Sequence, residues 1–121
     1  MKKHLFLLGA LAIAGQLQAQ EPLKTWGDQG NGTYINPILN ADYSDPDVIR
    51  VDDCYYMVAS DFHFLGMQIL KSEDMVNWKL IAQIYDRFDF PEWETNSRYA
   101  GGSWAPAIRY HDGKFYVFFC T

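Results

Sequence analysis

The chain repeats itself. Residues 45 to 58, Asp-Pro-Asp-Val-Ile-Arg-Val-Asp-Asp-Cys-Tyr-Tyr-Met-Val, align without a gap on residues 105 to 118, Ala-Pro-Ala-Ile-Arg-Tyr-His-Asp-Gly-Lys-Phe-Tyr-Val-Phe. The period runs from Pro46 to Pro106, sixty residues, with Asp52/Asp112 and Tyr56/Tyr116 also identical. Val48/Ile108, Tyr55/Phe115, Met57/Val117 and Val58/Phe118 keep an apolar residue at each place. Both copies have a turn between two runs rich in β-branched and aromatic residues, which is the pattern of a strand hairpin. Between the copies, Met67 to Lys71 and Trp78 to Ile84 read as a third and a fourth strand. A four-strand unit that begins again after about 60 residues is the pattern of a β-propeller blade. After the N-terminal stretch no helical period is long enough to compete.

The repeat isolates a candidate for chemistry. Where the first copy has Asp45 the second has Ala105, so the scaffold does not require a carboxylate there. The first strand of a blade lies against the central channel, and a residue at its entrance faces the mouth of the pocket. An isolated Asp-Pro is ordinarily turn chemistry. Here Pro46 is expected to push Asp45 towards an extended backbone and give its side chain a defined direction. The neighbouring carboxylates carry blander expectations: Asp42 caps the turn, and Asp47 accepts hydrogen bonds from backbone or Arg.

Composition narrows the partners. The net charge is −5 and no Lys/Arg cluster interrupts it, which argues against a polyanionic partner such as nucleic acid. Aromatic residues make up 17 % of the chain, enough for a β-rich core and also for surfaces that stack on sugar rings. Trp78, just after a turn, is expected to plug the core. Residues 85 to 103 break the strand spacing, and a connection of that length is usually functional or disordered. Its Trp93 and Tyr99, with Trp104 just beyond, either line a sugar site or close over the blade edge.

Residues 1 to 19 read as an export signal, with Lys2-Lys3, an apolar run from Leu5 to Ala14 and small Ala19 at the cleavage point. That run is too short to span a bilayer, so the expectation is a protein exported to a bacterial periplasm or beyond, with no membrane span. Residues 20 to 33, polar and Gly-rich, read as a loose leader before the propeller part at 34 to 121. Cys54 and Cys120 fall out of register in the two copies, which favours free thiols over a bridge. His4, His63 and His111 have no metal-ligand spacing. No cofactor is required by the sequence; a structural calcium is compatible with it, but no residues point to one.

Four ordered motifs carry a resemblance: Asn36-Pro37-Ile38-Leu39, Tyr43 to Arg50, Ser72 to Trp78, and Gly102-Ser103-Trp104-Ala105-Pro106. Together they resemble glycoside hydrolase family 43 from about Asn36 to Thr121. The resemblance implies an all-β, five-bladed β-propeller of which this chain covers fewer than two blades. It also implies hydrolysis of β-D-xylosides or α-L-arabinofuranosides in plant cell-wall polysaccharide, with inversion. The family's general base, the Asp directly before Pro, falls on Asp45, and its aromatic residues beside the sugar fall on Phe62 and Trp104. Its second Asp and its Glu acid belong to later blades, so this stretch alone is expected to be inactive. Ala107 stands where many relatives carry an acidic residue after Trp-Ala-Pro, which sets the chain in a subgroup. Two other readings remain at this stage. One is a noncatalytic sugar-binding propeller; the other is a propeller glycosidase such as a fructan hydrolase, whose first-blade Asp is a nucleophile and whose products retain configuration.

Overall fold

A computed structural model describes residues 26–88 and 101–121. Six strands account for the regular structure, and the described residues contain no helix. Strands β1 (Asp47–Val51), β2 (Cys54–Val58), β3 (Gln68–Ser72) and β4 (Lys79–Gln83) form one antiparallel sheet in chain order. Strands β5 (Trp104–His111) and β6 (Lys114–Cys120) form a separate hairpin, with β5 packed alongside β1. The chain thus supplies one four-stranded blade and the first hairpin of the next, as an all-β propeller segment should.

The sixty-residue period is kept residue by residue. Val48 pairs with Met57, Ile49 with Tyr56, Arg50 with Tyr55 and Val51 with Cys54. Sixty positions on, Ile108 pairs with Val117, Arg109 with Tyr116, Tyr110 with Phe115 and His111 with Lys114. Both hairpins close through two residues whose first member is an aspartate with positive φ, 53° at Asp52 and 47° at Asp112. Gly113 follows at 75°, so both central residues of the second turn have the left-handed twist that matches the twist of paired strands.

The sheet packs on a core of Met57, Leu70 and Trp78, against which Ile38, Leu39, Tyr43, Val48 and Tyr55 lean. Trp78 fills the place expected of it: it is 6 % exposed, and its indole N–H donates to the Met75 carbonyl at 2.9 Å. The turn that delivers it is built from side chains. Asp74 accepts the Val76 and Asn77 amides and Ser72 accepts the Met75 amide, satisfying the N–H groups of a segment with no ladder of its own. The third and fourth strands each begin one residue later than the alternation suggests, because Met67 is left-handed (φ 46°) and Trp78 turns into the core.

One expectation is corrected here. The polar segment read as a loose leader is tied down from Trp26 onward: Gly27 exchanges backbone hydrogen bonds with Ile35 and Ile38, Asp28 bridges to Tyr34, and Asn77 donates to the Asp28 carboxylate at 3.0 Å. Gly27 permits this, since a Cβ there would lie 2.6 Å from the Ile38 Cα. Composition registered the polarity but not the contacts. The proposed export signal, the first part of the leader, Trp93 and Tyr99 lie outside the described residues.

Candidate active site

Asp45 lies two residues before β1, exposed, where the β1–β2 hairpin has run past its last ladder pair, Asp47 with Val58. Two further hydrogen bonds continue the pairing without strand geometry. The Ser60 amide donates to the Ser44 carbonyl at 2.9 Å, and the Ser60 hydroxyl lies 2.7 Å from Asp45 Oδ2. The carboxylate therefore has a defined direction, though not for the expected reason. Asp45 has φ 47°, in the left-handed region and not extended, and Ala105 sixty positions on has φ 42°. Steric pressure from the following proline gives way to the need to turn the chain sharply into the inner strand. A left-handed non-glycine residue costs on the order of 1–3 kcal/mol and persists when surrounding contacts hold it. The bend belongs to the scaffold and recurs in both blades; the carboxylate belongs to the first.

Asp47 faces the second blade. Its Oδ2 accepts the Ile108 amide at 2.8 Å and an Arg109 N–H at 2.7 Å. Burial alone would raise this carboxyl, but the Ile108 N–H and the Arg109 guanidinium outweigh it and hold it below the ordinary carboxylate value. Asp47 is thus the hydrogen-bond acceptor that the sequence suggested, and it fastens one blade to the next. Asp42 does not cap the turn: it accepts no hydrogen bond among the described residues and instead lines a recess of about 150 Å³ with Tyr43, Ser60, Phe62 and His63.

The aromatic candidates meet. Phe62 and Trp104 stand edge to face, ring centroids 5.4 Å apart and planes at 85°, and Trp104 is 42 % exposed. The Trp104 indole N–H donates to the Gly102 carbonyl at 2.8 Å, which fixes the ring plane. The backbones under the two rings are paired, with the Asp61 and Ser103 amides each donating to the other's carbonyl at 2.8 and 2.9 Å. Gly102 makes the approach possible: a Cβ there would lie 2.0 Å from the Asp61 carbonyl oxygen.

The carboxylate of Asp61 holds the Phe62 loop. Its Oδ2 accepts the Gly66 and Met67 amides and the Tyr85 hydroxyl, at 2.9, 3.0 and 3.0 Å, while Oδ1 accepts the His63 amide at 3.1 Å. Burial would raise this carboxyl, yet the Met67 and His63 amides, the Tyr85 hydroxyl and the Gly66 amide together hold it low. Tyr85 is pushed up to about 12, chiefly by burial, with the Asp61 charge adding to it. Its hydroxyl lies 2.7 Å from that of fully buried Ser103, the second copy's side of the junction.

The structure therefore gathers Asp45, Phe62 and Trp104, drawn from both copies of the repeat, around Ser60 and Asp61. The sequence reading passed over those last two. Ser60 was within reach of it, because it falls opposite Asp45 when the hairpin register is carried past its end. No sequence signal marks Asp61. Among the described residues no three His, Cys, Asp or Glu side chains come together as a metal-binding group. Cys54 and Cys120 are both free, and no described helix is long and apolar enough to cross a membrane.

A four-stranded blade, a second hairpin docked on it and a carboxylate and an aromatic corner at their junction define part of a β-propeller. The glycosyl hydrolases family 43 profile matches residues 34–121. A Xylanibacter ruminicola relative is 65 % identical over 98 residues, covering 81 % of this chain and 18 % of its own. A non-reducing end alpha-L-arabinofuranosidase of Bacteroides ovatus is 41 % identical over 86 residues, covering 70 % of this chain and 16 % of its own. Among solved structures, a bifunctional family 43 protein of Bacteroides eggerthii superposes with a TM-score of 0.58 at 39 % identity, over 68 % of this chain and 11 % of that one. The chain belongs to glycoside hydrolase family 43, and it spans less than a fifth of the length of these relatives.

Proposed function

We propose that the complete protein hydrolyses O-glycosidic bonds at xylose or arabinose residues of plant cell-wall polysaccharide, with inversion, and that Asp45 is its general base. The observation that carries this reading is the placement of Asp45, a carboxylate the second copy replaces by alanine, held by Ser60 beside the Phe62–Trp104 corner. The exposed part of Trp104 suits the C–H face of a sugar. Asp45 removes a proton from water as the water attacks the anomeric carbon. The bond to the leaving oxygen breaks, and an acid about 6.5–9.5 Å from the base protonates it. The family resemblance assigns that acid, and the Asp that tunes it, to later blades. A beta-xylosidase of Formosa agariphila, 48 % identical over 78 % of this chain and 17 % of its own, supports the substrate class. With the apolar stretch at residues 5 to 14 as an export signal, the enzyme would act in the periplasm or outside the cell.

The test is Asp45→Asn in the complete enzyme. Asn keeps the size of the side chain but cannot take the proton, so kcat on aryl xyloside or aryl arabinofuranoside should fall by about 10²- to 10⁴-fold while product binding survives. Retention of more than about a tenth of the activity would return Asp45 to the role of a turn residue. Product configuration decides between this reading and a nucleophilic Asp, since a nucleophile gives retention. Sugar binding without turnover by the complete protein would leave the noncatalytic propeller.

A further inference from the structure

We infer that Ser60 is a positioning residue for Asp45 and that the second blade dictates which oxygen of Asp45 acts as the base. The inference rests on the assignment of Asp45 as base. The Ser60 hydroxyl has two neighbours: Asp45 Oδ2 at 2.7 Å and the Ala105 amide nitrogen at 2.8 Å. A hydroxyl offers one proton and two lone pairs. The Ala105 amide can only donate, so it occupies a lone pair of Ser60. The single hydroxyl proton is then directed to the carboxylate, which as an ion can only accept. Oδ2 is capped by Ser60, and Oδ1 is the oxygen left to receive the proton from water.

The repeat supports the pairing. Asp45 and Ser60 correspond, sixty residues on, to Ala105 and Cys120. The second copy lacks the carboxylate and the hydroxyl together, although it keeps the left-handed bend at Ala105. A hydroxyl required only to shape that bend would be needed in both blades. The arrangement also explains a use for the first residue pair of the second blade: Trp104 supplies a wall of the site, and the next amide, that of Ala105, orients the group that holds the base.

The experiment is a set of variants in the complete enzyme, assayed on an aryl xyloside or, if that is the poorer substrate, an aryl arabinofuranoside. Ser60→Ala and Ser60→Cys should each lower kcat about tenfold or more, the loss expected for a hydrogen bond to a charged group, with KM changed less than about threefold. Cys keeps the shape of Ser with a weak donor, so it reports on the hydrogen bond if the alanine variant folds poorly. Ser60→Thr keeps the hydroxyl and should restore most of kcat. In an Asp45→Asn background, Ser60→Ala should lower residual activity less than twofold, because the base it positions is gone. The inference is overturned if both substitutions leave kcat within about twofold of wild type while Asp45→Asn is inactive, or if Ser60→Ala lowers activity equally in both backgrounds. Full activity of Asp45→Asn would instead remove the base assignment itself, and this inference with it.

Discussion

Asp61 makes no contact with the substrate in the proposed mechanism, yet its loss should disable sugar binding before it disables catalysis. Replacing it by alanine strands four donors. The His63 amide is exposed and water replaces its partner at little cost. The Tyr85 hydroxyl keeps Ser103. The Gly66 and Met67 amides belong to buried residues, and each unsatisfied buried donor costs about 1–3 kcal/mol. Asp61→Ala should therefore destabilise the complete enzyme by about 2–6 kcal/mol. Asp61→Asn keeps one acceptor oxygen for those amides but loses the charge and turns an NH2 group towards another donor, for about 1–2 kcal/mol. With the loop loosened, Phe62 no longer holds its edge-to-face contact with Trp104, so KM should rise several-fold while kcat, which depends on Asp45 and Ser60, falls less. Denaturant unfolding of the three proteins, followed by KM and kcat at a pH near neutrality, tests both parts. An alanine variant within about 0.5 kcal/mol of wild type, the range of a neutral surface substitution, would refute the reasoning. So would an asparagine variant as damaged as the alanine one.

The same packing makes Gly102→Ala more damaging than its small size suggests: the added Cβ meets backbone at 2.0 Å in a residue with φ 106°, and poor expression of soluble enzyme together with lost sugar affinity is expected. Asp47→Asn should weaken the docking of the second blade by about 1–3 kcal/mol yet keep more than a tenth of kcat, as measured beside Asp45→Asn. Because the folded-state pKa of Asp47 is depressed, its contribution is present above the unfolded carboxylate value near 3.9 and is lost as pH falls through the lower folded value. Acid unfolding of wild type and Asp47→Asn should accordingly converge at low pH and separate above about 4. Thiol titration of the unfolded, unreduced protein should find both Cys54 and Cys120 reactive, as two free cysteines require; finding none would mean a bridge.

Much of the fold was legible in the residues themselves. The β-branched and aromatic runs at 47–51 and 54–58, the aspartate-led turns and the sixty-residue repeat are local or periodic signals, and the strand register repeats them pair for pair. Strand ends were less legible, since Met67 leaves the ladder through a left-handed backbone that nothing in its side chain announces. The place of Asp45 was legible because a repeat shows which residues a scaffold can do without. Its conformation was not, because the rule for a residue before proline describes local sterics, whereas the left-handed bend, shared with Ala105, comes from the sharp turn of the chain into the first strand of each hairpin.

The sequence by itself determined the all-β class and the blade repeat and singled out Asp45, because each leaves a pattern within one short segment or between two equivalent ones; Phe62 and Trp104 were proposed through the family resemblance. Only the tertiary structure decided that Asp47 fastens blade to blade, that Trp26 to Thr33 is tied down, and that Ser60 and Asp61 hold Asp45 and the Phe62 loop. Those roles depend on hydrogen bonds that join separate segments. A serine or an aspartate has the same side chain whether it faces water or a neighbouring blade, and only the folded chain brings the second partner within 3 Å.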